Sequence, residues 1–155
     1  MKRENEVGDI VIVDVTDDSG RVIEPDWLRR AEAVHRELRP HVGADYAAAL
    51  RPVFADGARM CVATRGDRVV GVAVHRTYVN TCDGLHMYVD DLVTDSRERS
   101  TGVGRTLLRY LQSKARTSGC GQFTLDSGTQ RQQAHKFYFR EGMVVVGFHF
   151  RTPLS

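Results

Sequence analysis

A glycine-rich loop joins a long predicted strand to an amphipathic helix, and this joint limits the fold more than any other feature of the sequence. The loop is residues 99–105, with Gly102 and Gly104 on either side of one valine. The first N–H groups of such a helix have no intrahelical acceptor, and the helix dipole adds partial positive charge. Glycines also let a ligand approach the backbone closely. The joint therefore predicts an anion-binding site where a strand ends.

The glycine spacing excludes two common phosphate loops. The G-x-x-x-x-G-K-[ST] spacing of a P-loop is absent, and Leu107 stands where a dinucleotide-binding G-x-G-x-x-G needs its third glycine. Two interpretations stay open on spacing alone. The loop is either a phosphate cradle, with Arg99 and Arg105 adding charged contacts, or a solvated loop that only starts the helix.

Apolar periodicity along the chain predicts the element order β-α-α-β-β-β-α-β-α-β in one domain over residues 1–155. This order is typical of an α/β (α+β) fold whose sheet is mixed and mostly antiparallel in its first half. The predicted strands cover residues 10–16, 60–65, 68–79, 85–94, 121–127 and 143–150, and the predicted helices cover 25–38, 45–55, 102–118 and 130–140.

Composition and charge argue against several classes of function. The 22 basic and 20 acidic residues are too balanced for a dedicated nucleic-acid binder. No run approaches the roughly 20 apolar residues that span a bilayer, and the N-terminus has no apolar leader core. The three cysteines, Cys61, Cys82 and Cys120, are far apart, which predicts free thiols and neither a zinc site nor a disulfide framework. We expect a cytoplasmic protein without nucleic-acid, membrane or metal partners.

Two motifs in the second half of the chain resemble the GCN5-related N-acetyltransferase (GNAT) family. The stretch RSTGVG at residues 99–104 is similar to the family pattern R/Q-x-x-G-x-G/A, between a strand and a helix as in that family. The stretch AHKFYFREGM at residues 134–143 is similar to the second pattern, A-x-x-F-Y-x-x-x-G-F. The resemblance covers residues 85–150 and is weaker upstream, where only the order of elements agrees.

The resemblance implies a GNAT-like sheet flanked by helices and splayed between strands 4 and 5, with acetyl-CoA as co-substrate in the gap. The loop N–H groups would hold the CoA pyrophosphate, and the end of strand 4 would pair with the pantetheine arm. Ser100 stands where glycine is frequent in the family. Arg131 stands where asparagine commonly touches the CoA arm, so a longer cationic contact is expected or that contact is lost. The implied cofactor-binding residues are Leu92, Val93, Thr94, Arg99, Ser100, Thr101, Gly102, Val103, Gly104, Arg105 and Arg131.

Three residues are the catalytic candidates. Tyr138 matches the tyrosine that in many family members protonates the departing CoA thiolate, although a core position beside Phe137 is the alternative. Asp90 and Asp91 lie in an otherwise apolar strand, where aspartate is depleted. Strict alternation would turn them to opposite faces, so one carboxylate, with Asp90 favoured, is expected to attract or deprotonate the acceptor amine. Pairing with an arginine or a backbone group is the alternative.

His75, His86 and Tyr88 adjoin this pair and are expected to be structural more often than functional. The leading hypothesis is an N-acetyltransferase acting on the primary amine of a small molecule by direct attack in a ternary complex. A non-catalytic acyl-CoA sensor, or an enzyme acting on a protein N-terminus or another macromolecular amine, stays open. The acceptor itself is not specified by the sequence, and a homodimer is left open as the assembly.

Overall fold

The structure, a computed structural model, describes residues 8–155, and their contacts form two units. The first unit ends at Thr124, and the second runs from Leu125 to Ser155. No helix in the described part of the chain is both long and apolar enough to cross a bilayer. The single domain expected over residues 1–155 stays a prediction.

Within residues 8–155, five strands form one mixed sheet in the order β1-β2-β3-β4-β5. Neighbours among the first four strands are antiparallel, whereas β4 and β5 are parallel. Gly66, at a φ of +59°, makes the tight turn between β2 and β3 that its sequence predicts. The mixed, mostly antiparallel α/β (α+β) sheet expected from the sequence is thereby confirmed. The strands are β1 (Val11–Asp14), β2 (Arg59–Arg65), β3 (Arg68–Asn80), β4 (Gly84–Thr94) and β5 (Gln122–Leu125).

The helices begin and end where the sequence carries capping signals. Pro25 opens the first helix, where a missing N–H costs nothing, and Pro40 follows soon after its end. The Asp45 carboxylate caps the second helix by accepting from the Ala48 N–H at 3.0 Å. The helices are α1 (Pro25–Leu38), α2 (Tyr46–Ala55), α3 (Val103–Thr117) and, in the second unit, α4 (Gln132–Arg140), with a 3₁₀ turn at Ser96–Glu98.

Apolar cores lie on both faces of the sheet. On one face α1 and α2 pack against the valines of β2 and β3, including Val72 and Val74. Position 71 of β3 points to the other face, where a Cβ added to Gly71 would lie 2.7 Å from both Val103 and Leu107 of α3. The absence of that Cβ lets α3 begin close against the sheet.

A gap opens along β4 beyond the short strand β5. The Gly121 N–H donates to the Leu85 carbonyl at 2.9 Å, so β5 starts beside the first residues of β4. Parallel strands rise equally per residue, and β5 has 4 residues against the 11 of β4. The last residues of β4 therefore extend past β5, as expected for a sheet splayed between these strands.

The predicted strand over residues 143–150 is wrong. These residues form no β-ladder with any described strand, and Val146 and Phe150 are 89% and 90% exposed. Alternating β-branched and aromatic residues fit a pleated, half-buried surface, but a strand forms only where a partner supplies hydrogen bonds. Within this second unit His149 lies 2.9 Å from Asp126.

Candidate functional site

Strand β4 carries a β-bulge at Asp90. Val74 of β3 pairs with Asp91 and His75 pairs with Val89, so Asp90 is the extra residue. A bulge sets two residues against one and breaks the alternation of faces. Both carboxylates consequently line one cavity beside α1. The prediction that the two aspartates face opposite sides is wrong, because it assumed an unbroken pleat.

The Asp91 carboxylate is held by His35 of α1 and by Arg39, the C-cap residue of that helix. His35 Nε2 lies 2.8 Å from Asp91 Oδ2, and the other ring nitrogen of His35 lies 2.8 Å from the Tyr46 hydroxyl. Arg39 donates from Nε to Asp91 Oδ1 at 2.7 Å, and its Nη2 lies 2.6 Å from the same oxygen. Four side chains from three elements therefore form one connected polar network at the bulge.

The charge of Asp91 is stabilised by this network. Burial acts to raise the pKa of Asp91, but the hydrogen bond from His35 and the charges of His35 and Arg39 outweigh it and lower the pKa. Burial raises the pKa of Tyr46, so its hydroxyl keeps its proton. Asp91 is thus an ionised anchor, and a strong base is the one role this environment disfavours.

The Asp90 carboxylate has a separate arginine. Arg76 of β3 donates to Asp90 Oδ2 from Nε at 2.9 Å and from Nη2 at 2.7 Å, while its Nη1 donates to the Asp56 carbonyl at 3.1 Å. The hydrogen bonds that Arg76 donates to the Asp90 carboxylate raise the pKa of Arg76. Arginine pairing, the alternative left open for these two aspartates, is therefore present at both.

The cavity between α1, α2 and β4 measures about 360 Å³. Its wall is apolar where Leu50, Val53 and Val74 line it, and polar where His35, Arg39, Asp90 and Asp91 do. A small apolar pocket with a few convergent polar groups is the usual form of a small-molecule site.

The loop after β4 is fixed to the sheet by charged residues. The Asp95 N–H donates to the Val70 carbonyl at 2.9 Å, and the Asp95 carboxylate accepts from the backbone N–H of Arg97 at 2.9 Å. Arg68 donates to Glu98 at 2.8 Å. The segment that precedes the glycines is therefore rigidly placed before α3 begins.

The glycine loop itself opens α3. Gly102 has a φ of +93°, which a residue with a Cβ rarely adopts, and its carbonyl accepts from the Thr106 N–H at 2.9 Å in the first turn of the helix. Ser100 also has a left-handed φ, of +63°, which costs a residue with a Cβ about 1 kcal/mol. The N–H groups of residues 103–105 belong to the first helical turn, which has no intrahelical acceptors. The residues present fit an anion such as a pyrophosphate.

The end of β4 lies between the cavity and the loop. Leu92, Val93 and Thr94 pair on one side with Ala73, Val72 and Gly71 of β3. Their other edge extends past β5, so their backbone groups on that side suit an extended, amide-containing ligand. A single strand therefore carries the aspartates, this edge and the start of the loop in order.

The other residues singled out near the aspartates do not line the cavity. His75 is buried on β3, neither ring nitrogen has a partner among the described residues, and burial lowers its pKa to about 4. His86 is buried and packs edge-on against Tyr78, with ring centroids 4.2 Å apart. Tyr88 lies on β4 one residue before Val89.

Two predicted site residues belong to the second unit. Arg131 is the N-cap residue of α4, and Tyr138 lies on that helix with its ring centroid 5.3 Å from that of Phe137. Burial raises the pKa of Tyr138, although the charge of Arg131 opposes the shift. The phenol is therefore protonated at neutral pH.

Three residues of the cavity network were missed from the sequence: His35, Arg39 and Tyr46. One signal was available for His35, which shares the helical stripe of Leu28, Ala31 and Leu38 and is therefore a polar residue on a buried face. Buried polar side chains require partners, which would have directed a search to the rest of the core.

A family model described as "Acetyltransferase (GNAT) family" matches residues 23–143. The chain belongs to the GNAT acetyltransferase family. The match includes the upstream half, where the sequence motifs are weak, and it covers α1, α2 and the cavity they form with β4. The family resemblance expected from the two motifs is thereby confirmed.

Relatives of this GNAT chain are acetyltransferases by name. The uncharacterized N-acetyltransferase YhdJ of Bacillus subtilis (strain 168) is 42% identical over 72 residues, 46% of this chain and 51% of the relative. The aminoalkylphosphonate N-acetyltransferase of Salmonella typhimurium (strain LT2) is 29% identical over 94 residues, 60% of this chain and 61% of the relative. The matches thus span about half to three-fifths of these curated relatives.

Solved structures share the GNAT fold. The aminoglycoside N-acetyltransferase AAC(6')-Iy, crystallised in complex with CoA, superposes with a TM-score of 0.71 at 18% identity, covering 93% of this chain and 96% of that one. At this identity the likeness establishes the fold.

Proposed function

We propose that this GNAT protein is an N-acetyltransferase that moves an acetyl group from acetyl-CoA to the primary amine of a small molecule, by direct attack in a ternary complex. The observation that carries the proposal is the order of features along β4. The cavity carboxylates at 90 and 91 are followed at once by the free edge at 92–94 and then by the glycine loop. A thioester held along that edge would present its carbonyl carbon beside the cavity.

The names of relatives support both substrates of the proposed reaction, the amine and acetyl-CoA. Two curated relatives are N-acetyltransferases by name, one of them for aminoalkylphosphonates, and a fold neighbour was crystallised with CoA. The cavity of about 360 Å³ is near the lower limit of ligand pockets, which favours a small acceptor over a macromolecular one.

The co-substrate would be bound mainly by backbone groups. N–H groups of residues 99–105 would receive the pyrophosphate, with the side chains of Arg99 and Arg105 as charged additions. The edge at 92–94 would pair with the amide groups of the pantetheine arm, and Arg131 would supply a cationic contact to the same arm. Acetyl-CoA supplies an activated acyl group as a thioester.

The residues of the cavity would prepare the amine. Asp91, ionised and oriented by His35, would attract the acceptor ammonium, and Asp90 would add a second carboxylate. Water would take the amine proton, because the lowered pKa of Asp91 makes it a weak base. The free amine nitrogen would then form the bond to the acetyl carbon and release its second proton to water, while the carbon–sulfur bond breaks.

Tyr138 would end the reaction as general acid. Its raised pKa keeps the phenol protonated, so it has a proton to give to the departing CoA thiolate. The resulting tyrosinate regains its proton from solvent, so no covalent acetyl-enzyme is required.

Release of free CoA with a panel of primary amines tests the proposal. Turnover with at least one small amine is expected. Tight acetyl-CoA binding with no turnover on any amine, small or macromolecular, would indicate the sensor instead. Tyr138→Phe in the same assay should lower kcat by about 10²-fold, a usual contribution of a general acid. An unchanged pH–rate profile in that variant would exclude the acid role.

A further inference from the structure

The acceptor cavity contains a charge pattern that the proposed activity does not by itself explain. Two carboxylates, Asp90 and Asp91, line it, and each is neutralised by an arginine. The cavity consequently has no surplus negative charge, although an amine acceptor enters as a cation at neutral pH. A polycationic amine would meet Arg39 in the cavity wall and an Asp90 carboxylate that is already paired with Arg76.

The two partners of one of these pairs differ in solvent exposure. The Asp91 side chain is 12% exposed and held by His35, whereas the Arg39 side chain is 52% exposed. A guanidinium has five donors in a planar fork. Arg39 uses Nε and Nη2 on Asp91 and on the Asp90 carbonyl, and no residue of the described chain accepts from Nη1. Arg39 is therefore able to receive an anion at the cavity mouth while Asp91 stays in place.

Resting on the proposed acetyl transfer, we propose that the acceptor is a small amine that also carries an anionic group. The acidic group of the acceptor takes the fork of Arg39, and its ammonium takes the place that Arg39 occupied beside Asp91. Each charge of the acceptor then meets an opposite charge, and the net charge of the cavity does not change. The shared chemistry is a carboxylate or phosphonate a few bonds from a primary amine, since both accept from a guanidinium in bidentate fashion.

Volume and walls agree with such an acceptor. A cavity of about 360 Å³ holds a compact molecule, and Leu50, Val53 and Val74 offer a short carbon spacer an apolar wall. An extended polyamine or an aminoglycoside would leave most of its charges outside. The cavity thus favours an acceptor that has a short carbon chain and carries one positive and one negative charge.

Matched acceptors test this inference on the wild-type protein. CoA release would be compared for 3-aminopropanoate, 2-aminoethylphosphonate, the neutral amide 3-aminopropanamide and the polycation spermidine. At least one of the two acids is expected to have a kcat/KM about tenfold or more above that of the amide. One charge-assisted hydrogen bond to the anionic group contributes a free energy that corresponds to such a ratio. The better of the two acids identifies the anionic group. An amide or spermidine rate equal to or above both acid rates overturns the inference and leaves acetyl transfer standing.

An arginine variant tests the residue. Arg39→Gln should raise KM for the preferred acid about tenfold or more and change KM for the amide by less than about twofold. Arg51→Gln, which removes an exposed arginine of α2 outside the cavity, is the control for loss of one positive charge and should change neither. Equal KM changes for acid and amide would overturn the role of Arg39.

Calorimetry separates the failure of this inference from that of the proposed activity. If no amine releases CoA, acetyl transfer fails, and titration of the wild-type protein with the acids and the amide still decides the acceptor class. Tighter binding of an acid than of the amide supports the inference, and equal or weaker binding overturns it. The same titrations serve if Arg39→Gln does not fold.

Discussion

His35 Nε2 lies 2.8 Å from Asp91 Oδ2 and joins α1 to β4 across 56 residues of sequence. Asp91 also pairs with Arg39, and His35 also contacts the Tyr46 hydroxyl, so one carboxylate connects α1 and, through the imidazole, α2 to the bulged strand. The network has a structural role besides its proposed part in binding an amine, because its removal leaves buried polar groups without partners.

Asp91→Asn should destabilise the protein more than Asp90→Asn. The first change leaves a buried imidazole and a guanidinium facing a neutral amide, at a cost of about 3 kcal/mol, while the second affects a more exposed pair and costs about 1 kcal/mol. Urea unfolding at pH 7 measures both. Folding lowers the pKa of Asp91 from its ordinary value of 3.8. The ionised carboxylate therefore stabilises the folded state fully above pH 3.8, and this contribution is lost as the pH falls through the lower pKa of the folded state. The gap between wild type and Asp91→Asn should therefore narrow in acid, and a constant gap would contradict this account.

Gly104→Ala should weaken acetyl-CoA binding more than Arg105→Gln. The added methyl group would lie on the loop proposed to hold the pyrophosphate, whereas the loss of the Arg105 side chain leaves the backbone donors intact. Binding about tenfold weaker is expected for Gly104→Ala from the loss of one charge-assisted hydrogen bond. The alanine itself should stabilise the helix by up to about 1 kcal/mol, so weaker binding cannot be blamed on unfolding. Stronger dependence on Arg105 would mean that side chains form the cradle.

Ser100→Gly should stabilise the protein without changing its affinity for acetyl-CoA. Ser100 has a φ of +63°, and glycine adopts this conformation without the steric cost of about 1 kcal/mol. Greater flexibility of the unfolded glycine chain offsets part of the gain. Chemical denaturation and calorimetry with acetyl-CoA check the two statements. A loss of stability would show that the serine side chain makes a compensating contact.

Gly71→Ala should both destabilise the fold and weaken acetyl-CoA binding, because α3 has to move away from the sheet. The new Cβ would lie 2.7 Å from Val103 and Leu107, and overpacking of this kind costs about 1–3 kcal/mol. Gly121→Ala is the matched control, since its Cβ would have only ordinary contacts at 3.9 Å. Similar losses of stability and of acetyl-CoA affinity in Gly71→Ala and Gly121→Ala would show that close packing of α3 on Gly71 is not the cause.

His75 should make the protein sensitive to mild acid. Its pKa is lowered from 6.5 to about 4 by burial, so the unfolded chain binds a proton in this range that the folded chain does not. Stability is therefore complete above pH 6.5 and falls toward pH 4, by roughly 3 kcal/mol in all. His75→Leu should flatten this part of the pH–stability curve, as measured by denaturation at several pH values. Parallel curves for wild type and variant would show that another group is responsible.

The sequence predicts those parts of this fold that depend on local chemistry. The bounds of α1 were predicted to the residue, because Pro25 and Pro40 flank an amphipathic stripe, and the joint between β4 and α3 follows from its glycines. The bulge at Asp90 was not predictable, because it is a property of the pairing between two strands. The network of His35 depends on residues that only the tertiary fold brings together. The strand expected at 143–150 failed for a related reason: its alternating pattern does not specify a pairing partner, and these residues pair with no described strand.

The extra residue in β4 also has a consequence for how this site could change over time. Point substitutions at 90 or 91 alter a charge but leave every other side chain of the strand on its side of the sheet. Deletion of Asp90 itself would leave Val89 opposite His75 and Asp91 opposite Val74, so it would remove one carboxylate without turning any other side chain of the strand. The loss of this single residue would therefore give a descendant of this protein an acceptor pocket with one carboxylate fewer beside an unaltered co-substrate edge.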